Sequence, residues 1–76
     1  MLHPEVIAKR LIELRGENTR EWLADKLGLS VSAIKMYESG SRIPKDDIKI
    51  RIANLFGKTV QEIFFDVKPH NSRSAS

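Results

Sequence analysis

The sequence predicts an all-α fold, a compact bundle of five short helices, from three observations. Apolar residues recur at helical spacing, as Ile7, Leu11 and Leu14 do near the start, and this is the period of one helix face. All four glycines fall where such a stretch stops, a placement typical of helix C-termini. No segment shows the sustained apolar and polar alternation of a half-buried strand.

The residues at the ends of each apolar stretch predict where the helices begin. Pro4 suits a first helical turn, and Thr19 and Ser30 can accept hydrogen bonds from free backbone N–H groups. Thr59-Val60-Gln61-Glu62 has the pattern of a capping box, in which the first and last side chains bond to each other's backbone. The predicted helices are at about residues 4–15, 19–27, 30–38, 45–56 and 59–65.

Each later helix carries its own apolar stripe. The stripes are Leu23 and Leu27 in the second helix, Ile34 and Tyr37 in the third, Ile48, Ile52, Ala53 and Phe56 in the fourth, and Val60, Ile63 and Phe64 in the last. Short connections between such helices fit a single compact domain. Residues 67–76 are too polar to bury, so we expect a folded domain at residues 1–66 followed by a disordered basic tail.

Composition excludes several classes of protein. With 76 residues, of which 41% are hydrophobic and 30% charged, the chain is in the range of one small globular domain. It has no cysteine, which removes disulfides, thiolate metal sites and cysteine nucleophiles. Its apolar runs are no longer than three residues, whereas a membrane span needs about 20. The first of them, residues 6–8, meets Lys9 and Arg10 at once, unlike an export signal. We expect a soluble, cytoplasmic protein without a metal or small-molecule cofactor.

The net charge of +3 is unevenly placed. Lys68 and Arg73 supply two of its three units, so the part predicted to fold is almost neutral. A basic chain suggests a polyanionic partner. If that partner is a nucleic acid, the folded part must bind it through local placement of charge.

Residues 19–38 predict two short helices joined by a tight turn, the arrangement of a helix-turn-helix. Ala24 supplies a small residue where the helices cross closely, and Gly28 supplies the left-handed residue of the turn. The apolar residues that would fix the crossing angle are Leu23, Leu27, Leu29, Ile34 and Tyr37. An ordinary helical hairpin also needs a small residue at the crossing and a glycine in the turn, so the spacing alone does not distinguish it from a helix-turn-helix.

These residues resemble the DNA-binding domain of the phage repressor and Cro family, also called the XRE family. The shared motifs are Leu23-Ala24, Leu27-Gly28-Leu29-Ser30, Ile34, Glu38-Ser39-Gly40 and Pro44, continued by Ile52-Ala53, Phe56-Gly57 and the stretch from Thr59 to Ile63. The resemblance covers roughly residues 5–65. It implies the lambda-repressor-like fold, double-stranded DNA as the partner, and a two-fold homodimer formed through the last helices on a palindromic operator.

The third predicted helix has a face suited to a DNA groove. At about 100° per residue, the side opposite the apolar stripe is small and carries a single charge. Its residues are Ser32, Met36 and Ser39 at the centre, with Ala33 and Lys35 beside them. The resemblance puts the base-reading positions at Val31, Ser32, Lys35 and Met36. Arginine, asparagine and glutamine are absent from residues 31–38, so we expect readout through apolar contacts, water and DNA shape. A merely solvated face is the alternative.

Cations on either side of this helix are candidates for phosphate contacts. Arg20 begins the second helix, where the family usually has glutamine, and Arg42 and Lys45 flank the loop before the fourth helix. Ordinary solubilising roles are the alternative for all three. Glu38 lies near a helix C-terminus and therefore needs a cationic partner; the resemblance implies an arginine from the first helix, either Arg10 or Arg15.

Aromatic residues raise the question of a protein interface. Trp22 replaces a residue that is polar in the family, and we expect it to pack against the first helix or to contact a partner. Phe64, Phe65 and Val67 offer more apolar surface than a short terminal helix can bury, which favours a dimer interface there; completing a thin core is the alternative.

Together these features predict a sequence-specific DNA-binding transcription regulator, a nucleoid-associated repressor that acts as a dimer. The alternative is a protein-interaction module, such as an antitoxin-like or anti-repressor partner, that uses the same fold. An enzyme is the weakest interpretation, because we find no nucleophile, metal cluster or phosphate loop in the sequence.

Overall fold

The computed structural model describes residues 2–66 of the chain, and these residues form five helices joined by short turns and loops. They are α1 (Pro4–Arg15), α2 (Arg20–Leu27), α3 (Val31–Ser39), α4 (Asp46–Phe56) and α5 (Val60–Phe64). Each predicted helix is present, with both ends within one residue of the prediction. The all-α prediction is confirmed, and residues 2–66 contain no strand. The predicted tail at residues 67–76 lies outside the described residues.

Side-chain caps explain three of the helix starts. The Thr19 hydroxyl accepts a hydrogen bond from the Trp22 amide at 3.0 Å, and the Ser30 hydroxyl accepts one from the Ala33 amide at 3.1 Å. At the start of α5, the Thr59 hydroxyl accepts from the Glu62 amide at 3.0 Å while the Glu62 carboxylate accepts from the Thr59 amide at 2.8 Å. The predicted capping box is therefore formed.

The turn between α2 and α3 depends on the backbone conformation of Gly28. This residue is left-handed, with φ 69° and ψ 36°, and its amide bonds back to the last turn of α2. A Cβ atom built there would lie 3.9 Å from its nearest neighbour, Nη1 of Arg51. Space is therefore available, and glycine is required for its conformation alone. The other three glycines also have positive φ. Gly40 and Gly57 are left-handed, whereas Gly16, with φ 60° and ψ −127°, is not.

The core draws apolar side chains from all five helices. α1 packs on α3 and α5, α2 packs on α3 and α4, and α4 packs on α5. The largest fully buried side chains are Phe64, Ile7, Ile34 and Ile52, together with Pro44 in the loop before α4. No helix within residues 2–66 is long and apolar enough to cross a membrane.

The short helix α5 is held in place by the N-terminal region. Nη1 of Arg10 donates to the carbonyls of Glu62 at 2.9 Å and Ile63 at 3.3 Å, and the Leu2 amide donates to the carbonyl of Phe64 at 3.0 Å. These carbonyls belong to the last turn of a helix, where the helix itself supplies no amide for them. Contacts from α1 and from Leu2, which precedes it, thus hold the C-terminal end of α5.

Candidate nucleic-acid interface

Helix α3 presents one face to the core and the opposite face to solvent. Ile34 and Tyr37 are buried, and so is Glu38 at the end of the same face. Ser32, Lys35 and Ser39 are exposed, whereas Val31, Ala33 and Met36 are half-buried. The structure therefore brings the six predicted base-facing residues to one accessible side of the molecule. Their contact with bases stays a prediction.

The loop after α3 continues this accessible side. The amides of Ser41 and Arg42 both donate to the carbonyl of Met36, at 3.0 and 3.3 Å, and the Ser39 hydroxyl donates to the same carbonyl at 3.1 Å. These bonds fold the chain back over the end of α3. Arg42 and Lys45, the N-cap residue of α4, are both exposed, so the two cations are available to a ligand.

Glu38 is the most strongly bonded polar group of this region. Its side chain is only 2% exposed, and its carboxylate joins three helices. From α1, Arg15 donates through Nε to Oε2 at 2.7 Å and through Nη2 to Oε1 at 3.1 Å. From α2, Arg20 donates through Nε to Oε1 at 2.9 Å. Of the two candidate partners in the first helix, Arg15 is the one that pairs with Glu38, while Arg10 bonds to α5.

These contacts set the protonation of the cluster. Burial raises the pKa of Glu38, but the hydrogen bonds and charges of Arg15 and Arg20 outweigh burial, so the net pKa lies below the ordinary value. The hydrogen bond to Glu38 raises the pKa of Arg15. The Glu38 carboxylate is therefore ionised, and Arg15 is charged, throughout the neutral range.

An open groove of about 430 Å³ lies beside the cluster, between α2 and α3. It is lined by Arg15, Arg20, Glu21, Val31 and Lys35. Two of these residues, Val31 and Lys35, are also predicted base-reading positions. The groove thus joins the predicted phosphate-binding residue Arg20 to the predicted recognition helix.

A comparison with protein families assigns this arrangement. A family model described as helix-turn-helix matches residues 9–63, well over half of the chain. The chain belongs to that helix-turn-helix family. The fold and the helix-turn-helix at α2 and α3 agree with the family of phage repressor and Cro type that the motifs indicate. No curated protein matches the chain, and no solved structure matches it either. The family assignment makes this helix-turn-helix protein a DNA-binding transcription regulator of the XRE type.

The structure corrects the expectation for the aromatic residues of the helix-turn-helix domain. Phe64 is 0% exposed, so its predicted role on a dimer surface is wrong, because its ring fills the core. Phe65 is 40% exposed, and Val67 lies outside the described residues. The ring of Trp22 lies against Phe56 of α4, with centroids 6.4 Å apart, a contact that the sequence did not predict.

The environments of two residues of α4, Lys49 and Ile50, were not predicted from the sequence. Lys49 is buried, with its ammonium 5.8 Å from the ring of Phe64 and 5.7 Å from the ring of Phe65. Its spacing to Ile52 and Ala53, three and four residues later, places it on the apolar stripe, and this signal could have found it. Ile50 is 54% exposed because it falls off that stripe.

Proposed function

We propose that this helix-turn-helix protein is a sequence-specific repressor that binds double-stranded DNA and occludes a promoter. The observation that carries the proposal is the outer face of α3, which is small, accessible and charged only at Lys35. Such a helix can enter a major groove about 12 Å wide without being repelled by phosphates. The proposed DNA-binding domain is residues 1–66, with residues 67–76 as a basic tail.

The proposed base contacts follow from the chemistry of each side chain. Ser32 and Ser39 can hydrogen-bond to several bases, and Lys35 can reach a guanine or a phosphate. Val31, Ala33 and Met36 can touch thymine methyl groups. Bidentate contacts are missing from this set, so discrimination at each base pair is modest and DNA shape contributes to it.

The proposed phosphate contacts are Arg20, Arg42 and Lys45. All three are exposed, and they come from α2 and from the loop between α3 and α4, on either side of the proposed recognition helix. Phosphate contacts fix the position of the protein on the duplex without reading sequence. Three such contacts in each of two subunits give a log–log salt slope of about −5.

A homodimer is part of the proposal. Large exposed apolar side chains of residues 2–66 are Val6, Ile12, Ile50 and Phe65. Ile50 on α4 and Phe65 after α5 lie in the C-terminal half, where the family resemblance implies a two-fold contact. A dimer of this kind places its recognition helices about 34 Å apart on a palindromic site.

Selection of bound duplexes from a random pool tests the proposal. The expected result is a palindromic consensus with half-site centres about one helical turn apart, bound with a steeply negative salt slope. Enrichment of no consensus, or an affinity independent of salt, would refute a sequence-specific regulator. The proposed location is the cytoplasm, at the nucleoid, and we propose no enzymatic activity or cofactor.

A second candidate is a protein-interaction module, and the absence of arginine, asparagine and glutamine from residues 31–38 favours it. Its proposed surface is the half-buried pair Trp22 and Phe56 together with exposed Phe65. Combined alanine substitution of Ser32, Lys35 and Met36 separates the two functions. Loss of biological activity supports the DNA-binding regulator, and full retention supports the protein partner.

A further inference from the structure

We propose that Glu38 is a positioning residue for DNA binding. Its buried carboxylate fixes the guanidinium of Arg20 at the groove between α2 and α3, where Arg20 and Lys35 together take one backbone phosphate of the duplex. This inference rests on the proposed DNA-binding function and deepens it, since it names the group that prepares the contact.

The two arginines on Glu38 are used differently. Each of the three guanidinium nitrogens of Arg15 donates a hydrogen bond inside the protein: Nε and Nη2 to the carboxylate, and Nη1 to the carbonyl of Asn18 at 2.7 Å. The Arg15 side chain is accordingly only 16% exposed. Its charge offsets that of Glu38, and each of its nitrogens is already tied to the protein, so Arg15 is less available to a ligand than an arginine whose terminal nitrogens are free.

Arg20 makes a single contact with the carboxylate, through Nε. Its side chain stays 43% exposed, and within residues 2–66 its terminal nitrogens Nη1 and Nη2 have no hydrogen-bond partner. The terminal nitrogens of a guanidinium form a rigid planar fork that matches two oxygens of a phosphate. Because Nε is held by Glu38, this fork is already oriented in the free protein.

The charges around the groove support an anionic ligand. Glu38 is offset by Arg15, which leaves Arg20 and Lys35 as two cations against the single exposed carboxylate of Glu21. Lys35 lies on α3, so a phosphate held between Lys35 and Arg20 would also fix the depth of that helix in the groove of the duplex. Because the contact is to a phosphate, this placement of α3 would not depend on base sequence.

Holding a long side chain in place before binding removes part of the entropic cost of ordering it. Ordering one such side chain costs enough to change an affinity by about two- to tenfold. Loss of the Glu38 contact should weaken DNA binding by about that factor for each subunit, although it leaves the charge of Arg20 in place.

The sign of the effect of Glu38→Gln tests the proposal on the selected operator duplex. This substitution removes a negative charge, so electrostatic attraction alone predicts tighter binding, whereas loss of positioning predicts weaker binding. Glu21→Gln is the matched control, because it removes the same charge from the same groove and leaves the hydrogen bond between Arg20 and Glu38 in place. The expected results are weaker binding for E38Q and slightly tighter binding for E21Q.

A double-mutant cycle separates positioning from a general structural role. In an Arg20→Gln background, Glu38→Gln should add little further loss, because the side chain it positions is gone. R20Q itself should lower the magnitude of the salt slope by about one for each subunit, equally on all sequences. Arg20→Lys should keep most of the slope and still bind several-fold more weakly.

Several outcomes would overturn the inference. One is E38Q binding as tightly as E21Q; another is an equal loss from E38Q with and without Arg20. If E38Q fails to fold, R20K binding as tightly as the wild type overturns it. If the wild-type protein binds no duplex at all, the proposed function fails instead, so the two failures are distinguishable.

Discussion

Phe64 decides whether the last helix completes the core or serves only as an interface. Its ring is inaccessible to solvent, faces the ammonium of Lys49, and its carbonyl holds the Leu2 amide. Truncating a buried phenylalanine to alanine costs about 3–5 kcal/mol. A domain of this size has roughly 4–11 kcal/mol of stability in all, so Phe64→Ala would remove much of it. Phe64→Leu keeps most of the volume, and we expect a loss of about 1–2 kcal/mol.

Urea unfolding followed by circular dichroism measures this loss, with Phe65→Ala as the control. Phe65 is partly exposed, so we expect its truncation to cost less than about 1 kcal/mol. A loss of 1 kcal/mol lowers the melting temperature of a domain of this size by about 4–8 °C. F64L should therefore melt several degrees lower at every protein concentration. An equal effect of F64L and F65A, or an F64L effect confined to self-association, would refute the assignment of Phe64 to the core.

Three further substitutions test the capping, turn and electrostatic interactions. Glu38 has a lower pKa in the folded protein than in the unfolded chain, so its ionised form stabilises the fold at neutral pH, and this stability is lost as the pH falls through and below about 4.3. Glu38→Gln should therefore flatten the dependence of the unfolding free energy on pH in that range. An unchanged slope would contradict the ion-pair assignment. Gly28→Ala forces a residue with a side chain into a left-handed conformation and should lower the free energy of unfolding in urea by about 1–2 kcal/mol. Gly28→Asn should lower it less. An alanine variant as stable as the wild type would show that glycine is not required here. Thr59→Ala removes one bond of the capping box of α5 and should cost about 1 kcal/mol, and no change in melting temperature would argue against that cap.

The helix boundaries could be predicted because their causes are local. Thr19, Ser30 and the Thr59–Glu62 box act on amides within three residues of themselves, and the turn glycine acts on its own backbone. The adjacent residues Phe64 and Phe65 show how much the apolar spacing of a helix can predict. Helical spacing from Val60 already assigns Phe64 to the apolar face, and the surplus of aromatic surface in this region belongs to Phe65.

Contacts that depend on how helices rotate against each other could not be predicted. Both Arg10 and Arg15 are on α1, and only the packing of α1 on α3 and α5 decides that Arg15 reaches Glu38. The second partner, Arg20, belongs to α2, and the sequence indicated a phosphate contact or a solubilising role for it, but no ion pair with Glu38. Trp22 is similar, because its ring contact with Phe56 depends on the placement of α2 against α4.

Competition binding tests the central claim most directly, namely that the outer face of α3 reads DNA sequence. The measurement is the ratio of affinities for the selected operator and a scrambled duplex, at one physiological salt concentration. For the wild-type protein we predict a ratio of at least about 10³. The triple alanine variant at Ser32, Lys35 and Met36 should lose most of this ratio. Its affinity for the scrambled duplex should fall only by the amount expected from the loss of one cation, Lys35. A wild-type ratio near one, or an unchanged ratio in the triple variant, would contradict the claim.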